Sequence, residues 1–489
     1  MKYMNDIDKK KKLILFGAGK IGREALDKYG KENVAFFCDN DIEKQGKKIN
    51  GIIVISFEKM INIYCPKYII MVTIGFPGFL IGQLENAGIS EYLIYHDTNP
   101  KILKYDGCES IDEKEHNDFL REYVKASNQF DILENIDNFK NIVKKAIDEA
   151  KEKGVSLNYY TRGKEEEGYR YGNLQTLQRY ADINTKYGIY VPIVSHVVSF
   201  PIYSPSHKYK TAVIFSGNYY KEKIHKIAPW VPVFTVGPYI HYADEIYNKD
   251  EMKKKKECIG TMLLVFLPHT LENVQRDYDR KNFLDAVNSS YKLKYDKIWV
   301  CAYFADVNDE ICKYAEKIGM HVVSAGFRFD PMFNDRLKTM IQLSDAIVCG
   351  DIGSFLAYSM YLEKPISRID ISDRKSLLDV QYEKSVELNV EKTGDCIKFE
   401  NDFYEIFDEH IKLNNKQKMW MDSLAGFNQI RSKEYIKRVF EICEDIWVES
   451  DGNYRNYSEA VRKIYYKYNA QCDYERMFML KQAVGSFLD

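Results

Sequence analysis

Two glycine-rich turns, several histidines and one arginine are the residues whose types and spacing could do chemistry here. Cys349-Gly-Asp-Ile-Gly-Ser354 lies between a short apolar run, Asp345 to Val348, and an apolar helix, Phe355 to Leu362, that Lys364-Pro365 stops. Such a turn leaves backbone N–H groups unpaired at a helix start, and the helix dipole adds positive potential. Gly353 and Ser354 are therefore suited to holding a phosphate. Arg328 can pair bidentately with phosphate. His269 and Thr270 follow the strongly apolar run Thr261 to Phe266 and can hydrogen-bond the same group. His196 comes just past the run Gly188 to Val194. Imidazole titrates near neutrality, so His196 can take a proton from an attacking hydroxyl; capping the strand would explain it as well. His241, in Gly237-Pro-Tyr-Ile-His241, is a second candidate base.

A second phosphate cradle stands near the start. Gly17-Ala-Gly-Lys-Ile-Gly22 matches G-x-G-x-x-G after the buried run Leu13 to Phe16, and Asp39 follows Gly22 by 17 residues. In that pattern Gly17 makes the turn, Gly19 admits a phosphate, Gly22 lets helix and strand touch, and Asp39 suits a ribose hydroxyl. Nucleotide binding, a scaffold without ligand and an active NAD-dependent enzyme all remain open for this module. No Tyr-x-x-x-Lys pair follows the glycines to support hydride transfer.

These turns need strands and helices in strict alternation. Apolar runs predict strands at 13–16, 34–38, 52–55 and 68–73, then at 188–194, 211–215 and 231–236, then at 261–266, 297–304, 320–324, 345–348 and 366–369. Helical periodicity separates most of them, so parallel sheets are implied. Asp330-Pro331 reads as a helix start. Ser216-Gly-Asn218 and Gly237-Pro-Tyr239 are further strand-end turns that could face a ligand. The lysine-rich run 249–256 reads as a solvated linker, and 400–489 as bracing helices. The fold class is thus α/β. Residues 1–110 form a Rossmann-like module, 111–257 and 258–400 form two further halves, and 401–489 form a helical segment.

At 489 residues the chain exceeds one core. A net charge of −2 offers no footprint for nucleic acid. Ten cysteines without a C-x-x-C pair suggest reduced thiols in a cytoplasmic protein. No apolar run approaches the ~20 residues of a membrane span. Asp39-Asn-Asp41 and Asp277-Tyr-Asp279 lack the strand-end setting of a metal-binding D-x-D motif, so no essential metal or resident cofactor is expected.

From about Tyr190 to Asp370 the order strand–His turn, Ser-Gly turn, Gly-Pro-Tyr-Ile, LLVF-x-PH, RFDP and a Gly-Ser helix start before Lys-Pro resembles GT-B glycosyltransferases of bacterial capsule and lipopolysaccharide clusters. FGAGKIG…FFCDND resembles the nucleotide-binding modules attached to enzymes of the same pathways. The resemblance implies an acceptor half and a donor half, with a nucleotide-sugar donor of unspecified base. Its acceptor would be a glycan or lipid-linked glycan. Peripheral attachment at the inner face of the membrane and homo-oligomerisation stay open. Neither a paired-serine signature nor an E-x7-E motif is present, which leaves donor nucleotide and stereochemistry undetermined. Two alternatives stand beside it: a non-catalytic nucleotide-sugar binding protein, and an NAD-dependent sugar-modifying oxidoreductase using residues 1–110.

Overall fold

The structure, a computed structural model, describes residues 11–65, 67–73, 80, 83–84, 87–89, 92–95, 118–127, 131–152, 157, 167–183, 193–194, 211–267, 280–369, 394–450 and 456–488. His196, His269, Thr270 and the Asp277–Asp279 pair lie outside these residues.

The first sheet contains β1 (Lys12–Phe16), β2 (Val34–Cys38), β3 (Lys48–Ile49), β4 (Ile52–Ile55), β5 (Tyr68–Val72) and β6 (Leu93–Ile94), in the order β3-β4-β2-β1-β5-β6. All neighbours run parallel except β3 with β4. Side chains alternate across a strand, and here both faces are covered. Ile14, Phe16, Ile70 and Val72 belong to one buried cluster; Leu13, Leu15, Phe37 and Met71 belong to the other. The helix Lys20–Tyr29 adds Ala25 and Leu26 to the second, and Phe57–Ile63 adds Met60 to the first. Among the described residues those two clusters draw only on 13–95, so this module carries its own core. The two-residue strands β3 and β6 were not anticipated.

The second sheet, β7 (Ile193–Val194), β8 (Val213–Phe215) and β9 (Val233–Thr235), is parallel in sequence order. The third holds β10 (Met262–Phe266), β11 (Lys297–Cys301), β12 (His321–Val323), β13 (Ala346–Cys349) and β14 (Ile366–Arg368), ordered β12-β11-β10-β13-β14 and parallel throughout. Its central strands are buried along nearly their whole length, as a sheet covered on both faces requires. One continuous core joins the second and third sheets with the helices Asp118–Ser127, Asp137–Glu152 and the C-terminal ones.

Two expectations need correction. The run 249–256 lies within a helix, Lys249–Ile259, started by a reciprocal capping box between Asn248 and Glu251; Lys256 reaches back to Asp345 at 2.5 Å. The strand expected over 297–304 ends at Cys301, and Phe304–Asp306 is a 3-10 turn.

After β14 the chain folds back. Residues 408–412 hydrogen-bond to Ile366 and Arg368 along its outer edge. The helix Asn415–Ala425 follows, and residues 423–431 then cross to the ends of β8 and β9. The helices Lys433–Glu449, Tyr457–Ala470 and Tyr474–Val484 join the shared core.

Candidate functional site

A parallel sheet offers ligands the crevice where its strand order reverses, beyond the carboxyl ends of its strands. In the third sheet that place lies between β10 and β13. His269 and Thr270 come three and four residues after Phe266, the last residue of β10. Gly353 and Ser354 come four and five after Cys349, the last of β13. The helix Ser354–Tyr361 starts from Gly353 with no side-chain cap. Phe355 lies over Phe266, ring centres 4.2 Å apart and nearly parallel, and floors this crevice with aromatic surface. A Cβ on Gly353 would stand 2.7 Å from the Phe355 ring, so that glycine gives the ring its room.

Arg328 leaves from the other side of the sheet, beyond the edge strand β12, while β13 is three strands away. At about 4.8 Å per strand, that is roughly 14 Å. The structure therefore separates Arg328 from the Gly353-Ser354 turn at the level of their strands. Half-buried Arg328 donates Nε–H to the Tyr303 hydroxyl at 3.1 Å.

The Asp330-Pro331 start behaves differently from expectation. The helix begins at Phe333, and Asp330 serves a buried network instead. One carboxylate oxygen accepts from Met332 N–H at 2.8 Å. The other accepts from the Tyr123 hydroxyl at 2.6 Å and from Arg336 Nη1 at 2.5 Å. Burial opposes the charge on Arg336, and Asp330 more than offsets it, so its pKa is raised. Burial, then Asp330, pushes the Tyr123 phenol up as well. Gly326 closes over this group at φ +104; a Cβ there would sit 2.6 Å from the Asp330 carboxylate.

Polar groups on the same helix hold the segment that links the second sheet to the third. Asp335 accepts from Asp244 N–H at 2.8 Å and from Arg179 Nη2 at 2.5 Å. Thr339 accepts from Ile246 N–H at 2.9 Å. Burial pushes the Asp335 pKa up, and Arg179 offsets only part of that.

The turns after β8 and β9 meet the returning chain. A Cβ on Gly217 would lie 2.3 Å from the Ser423 carbonyl, and one on Gly237 2.7 Å from Ile430. Their glycines admit the returning backbone of 423–430, which fills the space. His241 is half-buried between sheets, with Nδ1 2.6 Å from the Tyr361 hydroxyl and its ring edge-on to Tyr180, Tyr242 and Tyr361. Burial, then Lys338, lowers its pKa, leaving a neutral imidazole near pH 7.

In the first module the three glycines have separate reasons. Gly17 has φ +119. A Cβ on Gly22 would overlap the Gly17 carbonyl at 1.9 Å. Gly19 has an ordinary φ of −82, and no described atom stands within 4 Å of its would-be Cβ. Asp39 is buried; it accepts Ala18 N–H at 2.7 Å and Asp41 N–H at 2.9 Å, with Lys44 3.7 Å away. It thereby ties the glycine loop to β2.

Among the described residues no cluster of three or more His, Cys, Asp or Glu forms a metal site, and no helix is long and apolar enough to cross a membrane. Tyr171, Arg179 and Tyr303 escaped the sequence reading; only the turn signal Tyr171-Gly172 before a helix pointed to any of them.

No protein-family model matches the chain, and no curated protein does. Among solved structures the chain is similar to a UDP-GlcNAc 2-epimerase from Neisseria meningitidis bound to UDP-GlcNAc. Identity is 12% and the TM-score 0.28, with 90% of this chain and 99% of that one covered. At that score the likeness carries no weight, and function has to be argued from the residues themselves.

Proposed function

We propose that this protein is a metal-independent glycosyltransferase of the GT-B type, moving a sugar or polyol-phosphate group from a nucleotide-activated donor to a hydroxyl of a surface-polysaccharide acceptor. The observation that supports it best is the crevice between β10 and β13. A helix start without a side-chain cap leaves from there, on a doubly wound sheet that shares its core with a second parallel sheet, and His269 and Thr270 follow β10 closely in sequence. The donor diphosphate binds through His269, Thr270 and the Gly353-Ser354 N–H groups. Arg328 reaches the other end of the extended donor, in keeping with the spread of the strands.

For sugar transfer, the acceptor oxygen attacks the anomeric carbon, and the bond from that carbon to the diphosphate oxygen breaks. The nucleoside diphosphate leaves with the electron pair, and His196 takes the acceptor proton. Fixed donors aimed at the leaving phosphate stabilise the charge that develops on it. The reaction takes place in the cytoplasm, at a glycan or lipid-linked glycan. The first module holds a second nucleotide at Gly17, Gly19, Gly22 and Asp39.

A thermal-shift screen of the full chain with UDP, CMP, CDP, GDP and NAD tests this. Ligand at 100 times its Kd stabilises by about 2.7 kcal/mol. A nucleotide whose shift disappears in Arg328→Ala and persists in Gly19→Asp supports the donor site. A response to NAD alone, abolished by Gly19→Asp, would transfer the chemistry to the first module and defeat the proposal.

A further inference from the structure

Two kinds of transferred group fit the proposed reaction, a sugar ring and an open polyol phosphate. The helix start at Gly353 carries a feature that separates them. Phe355, the second residue of the helix Ser354–Tyr361, turns its ring back toward the helix start, as helical side chains do. Its Cε1 and Cδ1 would lie 2.7 and 2.8 Å from a Cβ on Gly353. Gly353 has φ −164 and ψ 172, extended backbone that any residue adopts. What requires a glycine there is the ring beside it, not the turn. The ring is thus held at the crevice between β10 and β13 by the backbone it leans on.

One face of that ring lies on Phe266, the last residue of β10, with centres 4.2 Å and planes 16° apart. Phe266 is buried at 7% exposure, whereas Phe355 and the turn 351–354 stay part-exposed. An aromatic ring fixed from below and part-exposed offers a flat apolar surface next to the helix start. A group joined directly to a phosphate at that start reaches this surface; a nucleobase, held off by its ribose, does not. A six-membered sugar has a face of C–H groups that can be buried on such a surface, with its hydroxyls at the rim. An open polyol chain has no such face, and ordering it costs more torsional freedom.

We infer that Phe355 is a specificity-determining residue: on the face turned away from Phe266 it stacks the ring of the transferred sugar, so the donor group is a pyranose and not an open polyol. The inference rests on the reading that the helix start holds the donor diphosphate.

UDP, CDP and GDP are titrated by calorimetry into the full-length wild type, Phe355→Leu, Phe355→Tyr and Ser354→Pro. UDP-glucose, CDP-glucose, GDP-mannose and CDP-glycerol are titrated alongside, and each is read as its gain in affinity over the bare nucleotide. A pyranose conjugate should gain in the wild type and CDP-glycerol should not. Phe355→Leu should cut the pyranose gain roughly 3–10-fold with bare-nucleotide affinity unchanged, and Phe355→Tyr should retain the gain. Ser354→Pro removes one N–H at a position where helices tolerate proline, after a residue already extended, and should weaken every nucleotide that binds. Suppose Ser354→Pro does so, yet no pyranose gains, CDP-glycerol gains as much, or Phe355→Leu spares the gain or weakens the bare nucleotide equally. The sugar platform is then overturned while the donor site survives. If Ser354→Pro changes nothing, or no nucleotide binds the wild type, both fall.

Discussion

The first and third sheets are wound alike, and the residues described around them are supported differently. Each places its first strand in the centre, two strands on one side and two on the other, with the first sheet adding β3 at its edge. In the first module the described contacts beyond β1 and β5 include polar ones to the glycine loop. Thr73 donates to the Gly17 carbonyl at 2.7 Å, and Asp39 fastens the loop. In the third sheet the same place is floored by stacked Phe266 and Phe355. The supports differ too. The first sheet stands on its own two clusters; the third shares a core with the second and hangs on buried charge. One winding therefore serves a self-sufficient unit and a dependent one.

Breaking the buried charge should separate them most clearly. Arg336→Leu leaves Asp330 buried without its cation, which costs about 3–5 kcal/mol. Calorimetry should show the main transition falling while that of the first module stays in place; a common shift of both would refute the independence of the two cores. Gly22→Ala is the converse. Its Cβ would overlap a backbone carbonyl, so the first module should lose about 1–3 kcal/mol and the rest nothing.

Gly19→Ala meets open space at a permitted φ, and stability should change by no more than about 0.5 kcal/mol. Any nucleotide bound by the module should nevertheless be weakened, as titration would show. Smallest is the response to acid. His241 is held below its ordinary value of 6.5 by burial and then by Lys338; His225 is lowered by burial and then by Lys221. The unfolded chain therefore binds these protons first, so stability falls as pH drops below 6.5 and levels off beneath the folded values. His241→Gln should remove its share of that slope in urea melts at stepped pH and leave the part due to His225.

Much of this architecture could be read from apolar runs, because strands buried on both faces announce themselves without context. Twelve runs were expected to form strands, and all twelve carry one at least in part within the described residues. The strands β3 and β6, two residues each, are too short to show a period. The lysine run hid a helix because its stabilising contacts, the Asn248 cap and the Asp345 pairing, lie outside the run. The turns at Gly217 and Gly237 show the deeper limit. A glycine at a strand end looks the same whether a phosphate or a backbone presses against it, and here the backbone belongs to residues about two hundred positions later. Asp330 was misjudged likewise, since its partner Tyr123 stands 207 residues away. Local sequence marks where a turn is tight; only the folded chain shows what makes it so.

The plug on β8 and β9 has a consequence for how the molecule is made. Lys221 bonds to the Gln482 carbonyl, 261 residues on, and Arg431 to the Thr235 carbonyl, 196 residues back. A ribosome delivers the first module complete after about a hundred residues, and its core can close while synthesis continues. The second sheet emerges early and must wait, its apolar strands uncovered, until residues past 480 have left the exit tunnel. Premature termination anywhere in the last helices should thus yield a chain with a sound beginning and an exposed middle, the form most prone to aggregate and to engage chaperones.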